Sequence, residues 1–407
     1  MEQKKRVPKR RFAGFTDEWE DRKLGDIAEI VSGGTPSTNN PKYWDGDVDW
    51  YSPTEIGDHV YAYRSVKTIT QLGLEKSSAK ILPPAKTILF TSRAGIGDMA
   101  ILQRPGATNQ GFQSLVLKEG IDTYFIYSMG HLIKKYAEKN ASGSTFLEIS
   151  GKTLGNMLIL VPSINEQQKI GDFFKKLDDM ITIQQRKLEK TKALKSAYLA
   201  EMFPAEGERL PKRRFAGFTD EWEKWKLGNL AEIVRGASPR PIQEPKWFDK
   251  KSNIGWLRIS DVTEQNGRIN YLEQRLSKLG QEKTRVLNEP HLLLSIAATV
   301  GKPVVNYVKT GVHDGFLIFM NPKFDREFMF QWLEMFRPMW NKYGQPGSQI
   351  NLNSEIVKGQ IIVVPNLEEQ KKIGAFFKSI DTMITNHHRK LEKLQALKQA
   401  YLHEMFV

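Results

Sequence analysis

A chain of 407 residues that is 40% hydrophobic has room for two or three domains with cores of their own, and its complete lack of cysteine excludes disulfides, thiol nucleophiles and cysteine-rich zinc sites. The charged first residues carry no signal-peptide apolar stretch and the longest apolar runs fall short of a membrane span, so a cytoplasmic protein with no membrane association is expected. The formal charge of +13 suits a polyanionic partner, although a solvated basic surface would have the same charge; residues 1–11 and 204–365 are net basic, and residues 12–162 slightly net acidic.

The opening segment, residues 1–20, contains PKRRFAGFTDEWE at 8–20, which recurs identically at 211–223. Identical sequence predicts identical surroundings. Residues 8–20 are therefore expected beside Met405 and Phe406, as residues 211–223 should lie near Met202 and Phe203. Phe12, Phe15 and Trp19, matched by Phe215, Phe218 and Trp222, are the expected apolar anchors, and Lys9, Arg10 and Arg11 are expected to face phosphates.

Residues 21–162 read as a compact α/β domain. Short β-rich runs at 87–90, 114–117 and 157–161 are separated by Gly, Pro and Asn, and 124–140 has helical character. A mainly antiparallel sheet is expected. The glycine-rich stretch 91–97 (TSRAGIG) permits close backbone approach to DNA, with Ser92 and Arg93 as contacts. Asn109 and Gln110 offer amides suited to adenine, and Ser144 and Thr145 sit in a small-polar loop. Ser150 to Thr153 has the tail of a phosphate loop, but Phe146 stands where the first glycine belongs, so no nucleotide site is expected. Asn40-Pro41-Lys42-Tyr43 and Asn321-Pro322-Lys323-Phe324 are similar to the Asn-Pro-Pro-aromatic motif of amino-methyltransferases. Lysine replaces the second proline in both, and we read them as turns.

Residues 163–203 begin with a capping-box pattern and carry apolar residues at steps of three and four: Ile170, Phe174, Leu177, Ile181 and Leu188. About 38 residues at 1.5 Å each give a helix of roughly 55 Å. A linker and the repeated constant segment follow at 204–223. Residues 224–365 form a second α/β domain with a helix expected at 326–343, in which Arg240, Arg258, Lys302, His313, Ser348 and Gln349 are the DNA-contact candidates. Residues 366–407 repeat the helix, with Ile373, Phe377, Ile380, Ile384 and Leu391 on the seam. His387-His388 lacks acidic company at metal spacing, so no metal site is expected.

The duplication organises the whole chain. At the same offset of 203, residues 166–203 match 369–406 at 26 of 38 positions, whereas the middles share only a skeleton, such as Trp50 against Trp256. Shared ends with different middles suggest one scaffold holding two readers: an α/β (α+β) fold with two globular recognition domains joined by a long antiparallel two-helix coiled coil and related by a pseudo-two-fold repeat.

RFAGFTDEW followed by KLG (Lys23-Leu24-Gly25 and Lys226-Leu227-Gly228) resembles the opening of type I restriction–modification specificity subunits. So does Pro162 with Glu166-Gln167-Gln168-Lys169-Ile170, repeated at Pro365 with Glu369-Gln370-Lys371-Lys372-Ile373. The resemblance covers essentially the whole chain. It implies double-stranded DNA as the ligand, a bipartite asymmetric target, two modification (methyltransferase) subunits and restriction (motor-nuclease) subunits as partners. It also implies S-adenosylmethionine, ATP and Mg on those partners, and no catalytic residue, cofactor or metal here. The alternative is a stand-alone bivalent DNA-binding or architectural protein.

Overall fold

Two similar sets of elements follow one another along the chain in the computed structural model, which describes residues 6–143, 147–343 and 352–407. They fall into two units: residues 1–186 with 389–407, and residues 187–388.

In the first unit a five-stranded sheet runs in the order Ala28–Ser32, Gln113–Leu117, Thr87–Phe90, Met99–Leu102, Tyr61–Ala62. Thr87–Phe90 and Met99–Leu102 are buried at every position, as continuous apolar runs in a covered sheet should be. In the second unit the order is Glu232–Arg235, Phe316–Met320, Leu292–Ser295, Pro303–Asn306, Arg268–Ile269, the same topology from different residues. Each unit adds a three-stranded sheet around a parallel pair: Trp44–Tyr51 with Gly106–Thr108, and Gly255–Trp256 with Thr310–Val312. The sheets are mainly antiparallel, as expected, with parallel pairing inside each three-stranded sheet and at the edge strand that ends each five-stranded sheet. The predicted helix at 124–140 is two, Thr123–Ser128 and Gly130–Asn140, with glycine, a poor helix former, opening the second. That at 326–343 is α-helical only over Arg326–Phe336 and turns 3-10 where Pro338 removes a backbone donor.

The long helices are Ile164–Met202 and Leu367–Met405. Within each unit, a segment of one lies antiparallel to a segment of the other. Phe173 meets Tyr401 at 4.9 Å between ring centroids and Phe174 stacks on Phe406 at 5.7 Å; in the second unit Tyr198 meets Phe376 at 5.1 Å and Phe203 meets Phe377 at 6.1 Å. Ile170, Phe174, Leu177, Leu188, Ile373, Phe377 and Ile380 are buried, and Ile181, Ile384 and Leu391 half-buried.

The repeated Glu-Gln-x-Lys-Ile-Gly at the head of each helix ties it to its globular domain. Gln167 Nε2 donates to the Pro162 carbonyl at 2.9 Å while its Oε1 accepts from Asp122 N at 3.0 Å; Gln370 does the same with Pro365 and Asp325. Asp122 and Asp325 cap the helices Thr123–Ser128 and Arg326–Phe336. Those caps press so close that a Cβ on Gly171 would stand 2.3 Å from Asp122 Oδ1, and one on Gly374 2.5 Å from Asp325 Oδ1. Only glycine fits there.

The constant segments strap each pair together. Arg11 makes a bidentate pair with Glu166 at 2.8 and 2.7 Å, and Arg10 reaches Glu404 at 2.5 Å; Arg214 with Glu369 and Arg213 with Glu201 repeat this. Trp19 packs 6.4 Å from Phe406, and Trp222 6.2 Å from Phe203. Phe12 lies 5.8 Å from Phe173, and Phe12 and Phe15 are both half-buried. The expectation that Arg10 and Arg11 face phosphates is therefore corrected. Both guanidinium groups are committed to carboxylates, Arg10 to Glu404 and Arg11 to Glu166.

Candidate nucleic-acid interface

Each unit gathers loops at the end of its sheets, stitched by backbone hydrogen bonds. In the first unit Gly34 N donates to the Thr108 carbonyl, Asn109 N to Tyr51, and Ser92 N to Gly111, at 2.8 to 3.0 Å. Trp50 Nε1 donates to the Gly34 carbonyl at 2.9 Å. Gly33 sits so close to 108–109 that a Cβ there would clash with both carbonyls. In the second unit Ala237 N donates to Val312, Gly236 N to Phe316, and Ile296 N to Gly315, each at 2.9 Å.

Equivalent hydroxyls clamp both clusters. Thr35 Oγ1 donates to Gln110 Oε1 at 2.5 Å, and Gln110 is an exposed residue. Ser238 Oγ donates to Asp314 Oδ1 at 2.8 Å. Asp314 Oδ2 accepts from Arg240, whose side chain is 78% exposed, and the Asp314 carbonyl accepts from Arg235 Nε at 2.6 Å. Burial pushes the Asp314 carboxyl up, but the Ser238 hydroxyl and Arg240 outweigh it and hold it below the usual range. The sequence reading did not single out Thr35, Ser238 or Arg235. The offset of 203 that pairs Thr35 with Ser238 was the available signal.

The remaining candidates divide by surroundings. Arg93 is half-exposed, 4.0 Å from Glu148. Ser92 is buried with its hydroxyl on Glu148, so it holds the loop instead of facing outward. Asn109 is half-buried, and its Oδ1 accepts from Gly111 N at 2.8 Å. Arg258 is held by Asp261 at 2.9 and 3.2 Å. Lys302 is largely covered, bonded to Asn266 and Glu334. His313 packs between Trp256 and Phe316, accepts from Gly315 N at 2.8 Å, and burial lowers its pKa. Ser144, Thr145, Ser348 and Gln349 lie outside the described residues.

Other sequence motifs resolve as local structure. Ser150 caps the short helix Gly151–Gly155, and Asn40 caps the 3-10 turn Pro41–Tyr43. Among the described residues no group of three or more His, Asp or Glu could hold a metal ion, and no helix is long and apolar enough to cross a membrane.

Comparison with known proteins matches this arrangement. The chain is 26% identical over 404 residues to the MjaIX specificity subunit of Methanocaldococcus jannaschii, covering 95% of this chain and 92% of that one. It is 33% identical over 172 residues to the EcoR124I/EcoR124II specificity subunit of Escherichia coli, covering 40% and 41%. Its fold is similar to that of a type I restriction–modification S subunit from M. genitalium, with a TM-score of 0.65, 13% identity and coverage of 98% and 99%. A family model described as the type I restriction modification DNA specificity domain matches twice, over residues 16–193 and 219–396. By this double match the chain belongs to the type I restriction–modification DNA specificity family.

Proposed function

We propose that the chain reads a bipartite, asymmetric DNA target, one half with residues 21–162 and the other with residues 224–365. One observation carries this. The same loop cluster is built twice on the same topology, but its exposed ends differ: an amide at Gln110 beside Arg93, and guanidinium groups at Arg240 and Arg235. Gln and Asn suit adenine, and a buttressed Arg suits guanine. Two such clusters with unlike donors favour two unlike half-sites. Arg93, Asn109, Gln110 and Arg240 are the leading contacts; Arg258, Lys302 and His313 shape the loops behind them.

The residues 163–203 and 366–407 supply two nearly identical surfaces, which suits docking of two modification subunits, with the motor-nuclease subunits joining for cleavage. S-adenosylmethionine, ATP and Mg belong to those partners, and the assembly works in the cytoplasm. Methylation mapping tests the reading. Replacing residues 21–160 by the corresponding domain of a relative should change one half of the methylated target and keep the other. A change in both halves, or in neither, overturns it.

A further inference from the structure

Beyond the capped helices, each globular domain meets the long helices at a second point, a carboxylate that is buried at Asp178 and half-buried at Asp381. Asp178 lies 2.6 Å from Lys398 of the antiparallel helix and accepts from Tyr124 Oη at 2.9 Å. Asp381, its equivalent at the offset of 203, lies 2.6 Å from Lys195, the equivalent lysine.

The domain side of the two sites is built differently. The position of Tyr124 is taken in the second unit by Glu327, which as a carboxylate has no proton to donate to Asp381. Arg268 stands between the two acids instead. Its guanidinium donates to Glu327 at 2.6 Å and to Asp381 at 3.0 Å, and Gln331 Nε2 adds a bond to Asp381 at 2.7 Å. Arg268 pairs with Val305 on the edge of its sheet as Tyr61 pairs with Ile101 on the other, so Tyr61 holds the position of Arg268 in the first unit. Tyr61 packs 6.4 Å from Tyr124. Burial pushes the Asp381 carboxyl up, but Lys195, Gln331 and Arg268 hold it below the usual range. The helix side is thus constant, and the domain side changes at Tyr124 against Glu327, at Tyr61 against Arg268 and at Ser128 against Gln331.

We propose that Asp178 and Asp381 are positioning sockets that orient the two reading domains on the helices, and that a socket accepts either of two matched pairs, Tyr61 with Tyr124 or Arg268 with Glu327. The electrostatics require the match. A glutamate facing the socket without the arginine puts two carboxylates in one water-poor site, where they repel. An arginine that spans both acids turns the repulsion into two charge-assisted bonds. The proposal rests on the reading that each domain recognises its own half of a target.

The test is a rescue. Tyr124→Glu alone should raise hydrogen exchange across Thr123–Ser128 of the purified chain by about tenfold or more. In the assembled complex, on a duplex carrying the two-part site that the wild-type complex methylates, it should cut the preference for an intact first half by about tenfold or more. Preference for the second half should not change. Adding Tyr61→Arg should restore both readouts. Should Tyr124→Glu fail to fold, Tyr124→Phe, which deletes only the bond to Asp178 and keeps the ring, should give a smaller loss confined to the first half. Wild-type values for Tyr124→Glu, or a double variant no better than the single, overturn the socket. A wild-type complex that methylates no two-part site overturns the functional reading instead, and the exchange rescue still decides the socket.

Discussion

Arg11 and Arg214 each face a carboxylate that solvent scarcely reaches: the side chains of Glu166 and Glu369 are 2% and 0% exposed. Removing one partner leaves the other charge buried and unpaired, which costs about 3–5 kcal/mol. Arg11→Ala and Arg214→Ala should each lower the unfolding free energy by that order in urea titration; a loss near that of a surface ion pair would mean that water replaces the guanidinium. At the loop cluster, Arg240→Ala should weaken discrimination at a guanine in the second half-site by about 1–3 kcal/mol, read as a ratio of affinities for matched and mismatched duplexes. His313 adds a pH dependence. Burial lowers its pKa, so the folded chain keeps the imidazole neutral while the unfolded chain takes up a proton below about pH 6.5. Stability present above that value is lost as the pH falls from it toward the folded pKa. The Tm should decline through this window, and His313→Gln should make the decline shallower.

Phe174 and Phe377 are fully buried where the long helices, the capped helices and the straps converge. Truncating either to alanine should cost about 3–5 kcal/mol, measured by chemical denaturation, and loosen the unit that contains it. These seams were legible in the sequence because a period of three and four over nearly forty residues has one structural meaning. The duplicated motifs gave their positions but not their roles. Glu-Gln-x-Lys-Ile-Gly was visible twice, yet its division of labour, Glu to the strap, Gln to a cap and Gly to clearance, depends on contacts between residues far apart in sequence. Arg10 and Arg11 were misread for the same reason, since a basic run does not reveal that its acids wait at 166 and 404. In the loop cluster the glycines and amides marked loops that the structure gathers at one end of the sheets. Ser92 and Lys302 were indistinguishable in sequence from Arg93 and Arg240 because only burial separates them.

The first unit takes its residues from both ends of the chain, with Arg10 on Glu404 and Trp19 beside Phe406, while the second takes its residues from one continuous stretch. The equivalent contacts in the second unit, Arg213 on Glu201 and Trp222 beside Phe203, are joined covalently through the exposed turn at Gly207. A circular permutant that links the native ends with a turn like 204–210 and opens near Gly207 should keep the wild-type Tm within a few degrees and the same methylated target. A permutant that folds but methylates another sequence would show that the connection does more than close the strap.

The split composition of the first unit has a consequence for synthesis. Leu402, Met405 and Phe406 belong to the same core as Trp19, Phe125 and Phe174. A ribosome adding about 5–20 residues per second therefore leaves that core open until residues 402–406 emerge, although its first strands were made much earlier. Residues 187–388 are complete sooner. The unit encoded second is thus the one able to finish folding first, and the unit encoded first must wait with apolar surface uncovered. Nascent chains arrested with residue 388 just outside the exit tunnel should protect the second unit from protease and leave the first one cleavable.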